Sequence, residues 1–280
     1  MEMRRLHVEG PDGRYALSYA DWGDPAAGRT IICVHGLTRN GRDFDHLATV
    51  LAQGARVLCP DVVGRGRSDP LREAQHYALP TYIAHMLQFV RQLELEEVDW
   101  VGTSMGGLIG MGVAASEGSP IRRLVINDIG PFLPKPALER INTYLGRDLR
   151  FEDLAALESH LREVHAPFGP LTDAQWLHLA THSARTMPGG RLGLAYDQRL
   201  AEPMRTGPVE DVDLWPVWDQ IRCPVLVLRG TESDLLLAET AREMTERGPK
   251  AELVEFEGVG HAPALMAEDQ IRVVRAWLAR

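Results

Sequence analysis

Val98-Asp99-Trp100-Val101-Gly102-Thr103-Ser104-Met105-Gly106-Gly107 is the stretch on which the reading of this chain turns. A β-like run ends at Val101, the pattern G-x-S-x-G follows, and a Gly-punctuated helical pattern runs from Gly106 to about Ser116. Glycine and serine are common, so the pattern alone says little. Between a strand and a helix it says more, because the glycines leave room for a tight turn that lifts the Ser104 hydroxyl clear of the backbone. Such a turn holds the serine in a strained conformation and sets its oxygen over the positive end of a helix, where an oxyanion is favoured.

Outward from this turn, short apolar runs alternate with helical patterns. Strands are expected at 30–34, 56–59, 98–101 and 123–127, with helices around 43–53 and over 82–93, where Ile83, Met86, Leu87 and Val90 share one face. This alternation predicts an α/β fold whose largely parallel sheet is covered by helices on both faces. Leu6-His7-Val8 and Tyr15 to Ala20 flank Pro11-Asp12-Gly13 and predict an antiparallel hairpin at the sheet edge. After Gly130 the pattern changes. Pro131, Pro134 and Pro136 break the chain, and helical sequence without a convincing strand continues to about Pro216. The expected organisation is a core of residues 1–130 and 217–280 with a helical lid, 131–216, inserted. The sheet resumes at Cys223–Leu228 and Ala251–Phe256, with helices at about 238–247 and 264–278.

A serine hydroxyl is a poor nucleophile near neutrality and needs a base and an acid that orients it. His261, in Gly258-Val259-Gly260-His261, follows the last strand and is the expected base. Asp234, on the loop after the strand ending near Leu228, is the expected acid, with neighbouring Glu232 as a substitute. The order Ser104, Asp234, His261 is the one found when this triad is built on a parallel sheet. Asp128 is the alternative acid, because it follows a strand whose tip neighbours the one carrying Ser104. Acyl transfer also needs two backbone N–H donors for the oxyanion. Met105, after the nucleophile, and Leu37, in His35-Gly36-Leu37-Thr38, are the candidates, while His35 is expected to support that loop structurally.

His35-Gly36, Asp61-x-x-Gly64-Arg65-Gly66-x-Ser68, Gly102-x-Ser104-x-Gly106-Gly107, Asp234 and Gly260-His261 together resemble the α/β-hydrolase family in its lidded esterase and lipase-like branch. The resemblance spans about residues 15–130 and 220–280. It implies an eight-stranded, mostly parallel sheet, a serine hydrolase mechanism, no cofactor, and a structural role for Asp61 and the Gly64–Ser68 loop. The activity it leads to expect is a carboxylesterase acting through an acyl-enzyme on a small to medium, largely apolar ester. The same residues would also serve a carbon–carbon bond hydrolase of ring-cleavage products, a lactonase or a thioesterase. A non-catalytic ligand receptor on the same scaffold is the alternative from another class.

Composition narrows the rest. The 280 residues carry 30 Lys and Arg against 39 Asp and Glu, a net charge of −9 that gives no drive toward phosphate backbones, so a nucleic-acid partner is not expected. No segment approaches the roughly 20 apolar residues of a membrane span, and Met1–His7 has no apolar stretch of signal-peptide length. Cys33, Cys59 and Cys223 sit in apolar runs and read as core thiols, which suits a cytoplasmic protein. No Walker, HExxH or CxxC pattern occurs. His178 and His182 are four apart on a predicted lid helix, but no third ligand stands at a telling spacing, and no metal is expected.

Overall fold

The computed structural model describes residues 1–280. In chain order the first half runs β1 (Glu2–Gly10), β2 (Gly13–Trp22), β3 (Thr30–Val34), α1 (Asp45–Leu51), β4 (Arg56–Pro60), α2 (Leu79–Gln92), β5 (Val98–Thr103), α3 (Met105–Ala114) and β6 (Ile121–Asn127). Along β3 every residue is buried and the side chains alternate between two layers. Ile32 and Val34 join a core with α2 and α3, while Ile31 and Cys33 join a second core with Phe44 and Leu47 near α1 and Val274 and Trp277 near the C-terminus. A strand apolar on both faces requires cover on both, so the sheet sits between two helical layers.

A long segment then separates β6 from the rest of the sheet. It contains β7 (Phe132–Leu133), α4 (Lys135–Tyr144), α5 (Leu154–Val164), α6 (Asp173–Ser183), β8 (Ala184–Thr186), β9 (Leu192–Leu194) and β10 (Val212–Asp213). The short helix α7 (Trp215–Trp218) leads back to β11 (Val225–Gly230), α8 (Ala238–Glu246), β12 (Glu252–Phe256) and α9 (Glu268–Leu278). The eight-stranded sheet has the order β1-β2-β4-β3-β5-β6-β11-β12, antiparallel at the β1–β2 hairpin and at β2–β4 and parallel elsewhere.

Two features differ from the sequence reading. The segment after Gly130 does contain strands. β7 pairs antiparallel with β10, so the segment leaves and re-enters through one stem, and β8 pairs with β9. Pairs of two or three residues are too short to print an alternation in sequence. The last helix opens at Glu268 rather than Ala264, because Leu265 takes a left-handed φ of 56° and its N–H donates to the Gln270 side chain. The segment has a small core of its own, Leu157 and Leu161 of α5 against Trp176, Leu179 and Ala180 of α6, closed by Met266 from the loop before α9. The three cysteines are unpaired. No helix is long and apolar enough to cross a membrane.

Candidate active site

β5 and α3 meet at Ser104, whose φ of 52° and ψ of −117° fall where an L residue is strained. The flanking glycines are required by space. A Cβ at Gly102 would lie 2.2 Å from the Gly106 carbonyl oxygen, and one at Gly106 only 1.9 Å from the Val34 carbonyl oxygen. Without side chains there, α3 packs directly over the end of β3 and the hydroxyl of Ser104 stands at the C-terminal edge of the sheet. The Ser104 N–H donates to the Asn127 carbonyl at 2.9 Å, tying the turn to β6.

His261 lies on the loop after β12. Its Nε2 is 2.9 Å from Ser104 Oγ, and its Nδ1 is 2.8 Å from Asp128 Oδ2. The Nδ1–H donating to the carboxylate leaves Nε2 as acceptor for the serine proton. Asp128 is fully buried and takes a left-handed φ of 56° directly after β6. Its carboxylate also accepts from the Gly230 N–H at 2.8 Å and the Ser233 hydroxyl at 2.6 Å. Asn127 donates to Thr103 Oγ1 and to the Pro263 carbonyl, clamping the loops that carry Ser104 and His261 together.

The expected acid therefore stands elsewhere. Asp234 is exposed, makes no bond to His261, and instead accepts from Arg140 of α4 through Nε at 2.5 Å and Nη2 at 2.9 Å. The reason is local. In the turn after β11, Ser233 points inward to Asp128, so its neighbour Asp234 points outward. Glu232 is exposed as well. β6 lies between β5 and β11 in the sheet, which brings an acid at its tip closer to the serine strand than one on β11.

Leu37 lines the same cavity as Ser104 and His261. Its loop is held from behind by buried polar groups. His35 donates from Nδ1 to the Gly36 carbonyl at 2.7 Å and accepts from the Val62 N–H at Nε2, 2.9 Å. Burial pushes this imidazole down to about 4, so it stays neutral in the fold. Arg65, 1% exposed, donates to the Leu37 carbonyl at 2.9 Å and to the Val63 carbonyl, with Nη2 against the Met105 sulfur. Asp61 accepts from the Gly41 and Arg67 amides, and burial raises its carboxyl to about 6 in spite of them. Met105 opens α3, where the first backbone amides have no partner inside the helix.

The opposite wall comes from the segment between β6 and β11, through Ile141 and Tyr144 of α4 and Val164 of α5 with the adjoining His165. His165 stacks on Phe168 with ring centroids 4.5 Å apart, and burial, reinforced by nearby Arg39, holds it well below the usual imidazole range. Two guanidiniums, Arg39 and Arg140, also line the cavity. The sequence reading missed both, since no motif marks them.

Asp45, His178 and His182 place ligand atoms within 4.8 Å of one another, supplying the third group that spacing alone did not show. Two of the three, Asp45 and His178, are already engaged. Arg42 holds the Asp45 carboxylate through Nε at 2.9 Å to both oxygens, and His178 Nε2 donates to the Arg42 carbonyl at 2.9 Å. A divalent ion there would face that guanidinium, so these residues act as a tie between α1 and α6.

Comparison with known proteins agrees with this architecture. The model of the alpha/beta hydrolase family matches residues 31–276. The 3-hydroxybutyrate-oligomer hydrolase of Cupriavidus necator is 45% identical over 271 residues, covering 94% of this chain and 92% of that protein. Among solved structures, a Rickettsia typhi protein superposes with a TM-score of 0.94 at 32% identity, covering 100% of this chain and 99% of that one. An alpha/beta hydrolase from Novosphingobium aromaticivorans gives 0.87 at 36% identity, covering 99% and 98%.

Proposed function

Since the chain belongs to the alpha/beta hydrolase family, we propose that it hydrolyses carboxylic esters through an acyl-enzyme on Ser104, with His261 as base and Asp128 as the acid that orients it. The observation that carries this reading is the unbroken hydrogen-bond chain Ser104–His261–Asp128, with links of 2.9 and 2.8 Å. His261 Nε2 takes the Ser104 proton as Oγ bonds to the ester carbonyl carbon. The amides of Leu37 and Met105 stabilise the oxyanion, and one such donor is worth about 3 kcal/mol of barrier. Collapse breaks the carbonyl–alkoxy bond, and His261 gives its proton to the leaving alcohol. Water, activated by the same imidazole, then bonds to the acyl carbon and frees Ser104 and the acid. Asp128 keeps Nδ1 protonated and stabilises the imidazolium that forms.

Residues 131–216 serve in this reading as a cap that roofs the nucleophile and selects the ester. An apolar ester is narrowed by the two guanidiniums of the wall, which suit a substrate with polar or anionic groups. Short esters of hydroxy acids, the class named for the Cupriavidus necator relative, are the first to try. The test pairs a fluorophosphonate label with hydrolysis of a 3-hydroxybutyrate dimer. The wild-type chain should be labelled at Ser104 and release monomer, and both should vanish in Ser104→Ala. Labelling at another residue, or turnover surviving in that variant, would remove Ser104 from the chemistry.

A further inference from the structure

We infer that Arg39 is an anion-binding residue of the cavity, which holds the free carboxylate end of a hydroxy-acid ester while Ser104 attacks the neighbouring carbonyl. The inference deepens the ester-hydrolase reading and rests on it.

Arg39 is only 6% exposed, yet it lines the cavity that contains Ser104. A guanidinium offers two edges, each able to grip a carboxylate. Asp43 occupies one of them, accepting from Nε at 2.8 Å and Nη2 at 2.7 Å. This fixes the plane of the group and leaves the other edge, with both Nη1 protons, free of any protein acceptor. An anion entering the cavity that Arg39 lines would gain a charge-assisted hydrogen bond from this edge without displacing a protein acceptor.

Position supports the same conclusion. Gly36 lies between Arg39 and the nucleophile. A Cβ at Gly36 would be 3.7 Å from Ser104 Cβ and 3.8 Å from Arg39 Cγ, so the two side chains flank one glycine. The Arg39 N–H donates to the Gly36 carbonyl, closing the turn that carries Leu37. In a linear hydroxy-acid ester the acid terminus belongs to the leaving alcohol, a few bonds from the carbonyl under attack. Charge fits too. The lining residues include the cations Arg39 and Arg140, against which stands the single carboxylate of Asp43. Arg140 is the weaker candidate, being more exposed and forked onto Asp234.

The test compares a 3-hydroxybutyrate dimer with its terminal carboxamide, which keeps the ester and removes the charge. In the wild-type chain kcat/KM for the acid should exceed that for the amide by about 10- to 100-fold, the range of one charge-assisted hydrogen bond. In Arg39→Gln this ratio should fall to about 1, through a higher KM for the acid with little change in kcat. Because Arg39→Gln strands the Asp43 charge, the pair Arg39→Gln with Asp43→Asn is run beside it and should show the same collapse. Fluorophosphonate labelling of Ser104 verifies that each variant is folded. Equal KM values for acid and amide in wild type, a ratio preserved in both variants, or its loss in Arg140→Gln instead would overturn the assignment. If Ser104 is labelled but neither compound is cleaved, the carboxylate subsite fails while the ester-hydrolase reading stands; if no label forms, the reading itself fails.

Discussion

Two loops stand side by side at the C-terminal edge of the sheet, each with an aspartate soon after a buried strand, and the fold treats them in opposite ways. After β6, Asp128 is fully buried and its carboxylate gathers the Gly230 amide, the Ser233 hydroxyl and His261 Nδ1. After β11, Asp234 is half in solvent and pairs with Arg140. The β11 loop is not idle. It contributes Ser233 and the Gly230 amide to the other loop's acid. A charge with three donors has one orientation, whereas an exposed ion pair can rearrange at little cost. Position along the chain does not separate the two aspartates; the number of donors converging on each carboxylate does.

This contrast can be broken by experiment. The largest effect is expected from Ser104→Ala, which should lower kcat for ester hydrolysis by about 10⁴- to 10⁶-fold. Next comes Asp128→Asn, which keeps the shape but not the charge and should cost about 10⁴-fold in kcat. Asp234→Asn should remain within about threefold of wild type, and a large loss there with Asp128→Asn active would reverse the roles given to the two loops.

Below these in size stands a stability effect on another buried, fully bonded group. His35 is held neutral down to about pH 4, whereas in the unfolded chain it protonates near its ordinary value of 6.5. As pH falls below 6.5 the unfolded state gains a proton that the native state refuses, so stability is lost progressively down to about 4, amounting to ~3 kcal/mol. Denaturant titrations at pH 7 and pH 4 should show His35→Gln losing less stability than wild type by about that amount; parallel profiles would contradict it. Ser233→Ala should follow, destabilising the fold by about 1 to 3 kcal/mol as the buried Asp128 loses a donor. Smallest is the Arg140–Asp234 pair, for which a double-mutant cycle should give at most about 1 kcal/mol.

Much of the fold can be read from the chain because it rests on local periodicity. Ile31, Ile32, Cys33 and Val34 form a short, uninterrupted apolar run rich in β-branched residues, which fits a strand buried on both faces, and Gly102 and Gly106 mark the bend where no Cβ fits. Ser104 and His261 follow from the same logic, since each lies on a glycine-bearing turn or loop that follows a strand. Asp128 entered only as an alternative, because its claim depends on β6 lying between β5 and β11. Arg39 and Arg140 had no local signal. One is a loop residue and the other belongs to an ordinary amphipathic helix, and both matter only because distant segments close over the same serine.

The sequence by itself determined the strand–helix alternation, the strained bend at Ser104 and the loop bearing His261, since each depends on residues within a few positions of one another. Tertiary structure decided which aspartate meets that histidine, how residues 131–216 join through the β7–β10 stem, and which charges line the cavity. Those choices depend on strand order and on contacts between segments far apart in the chain, and a buried carboxylate goes where enough donors converge to replace its water.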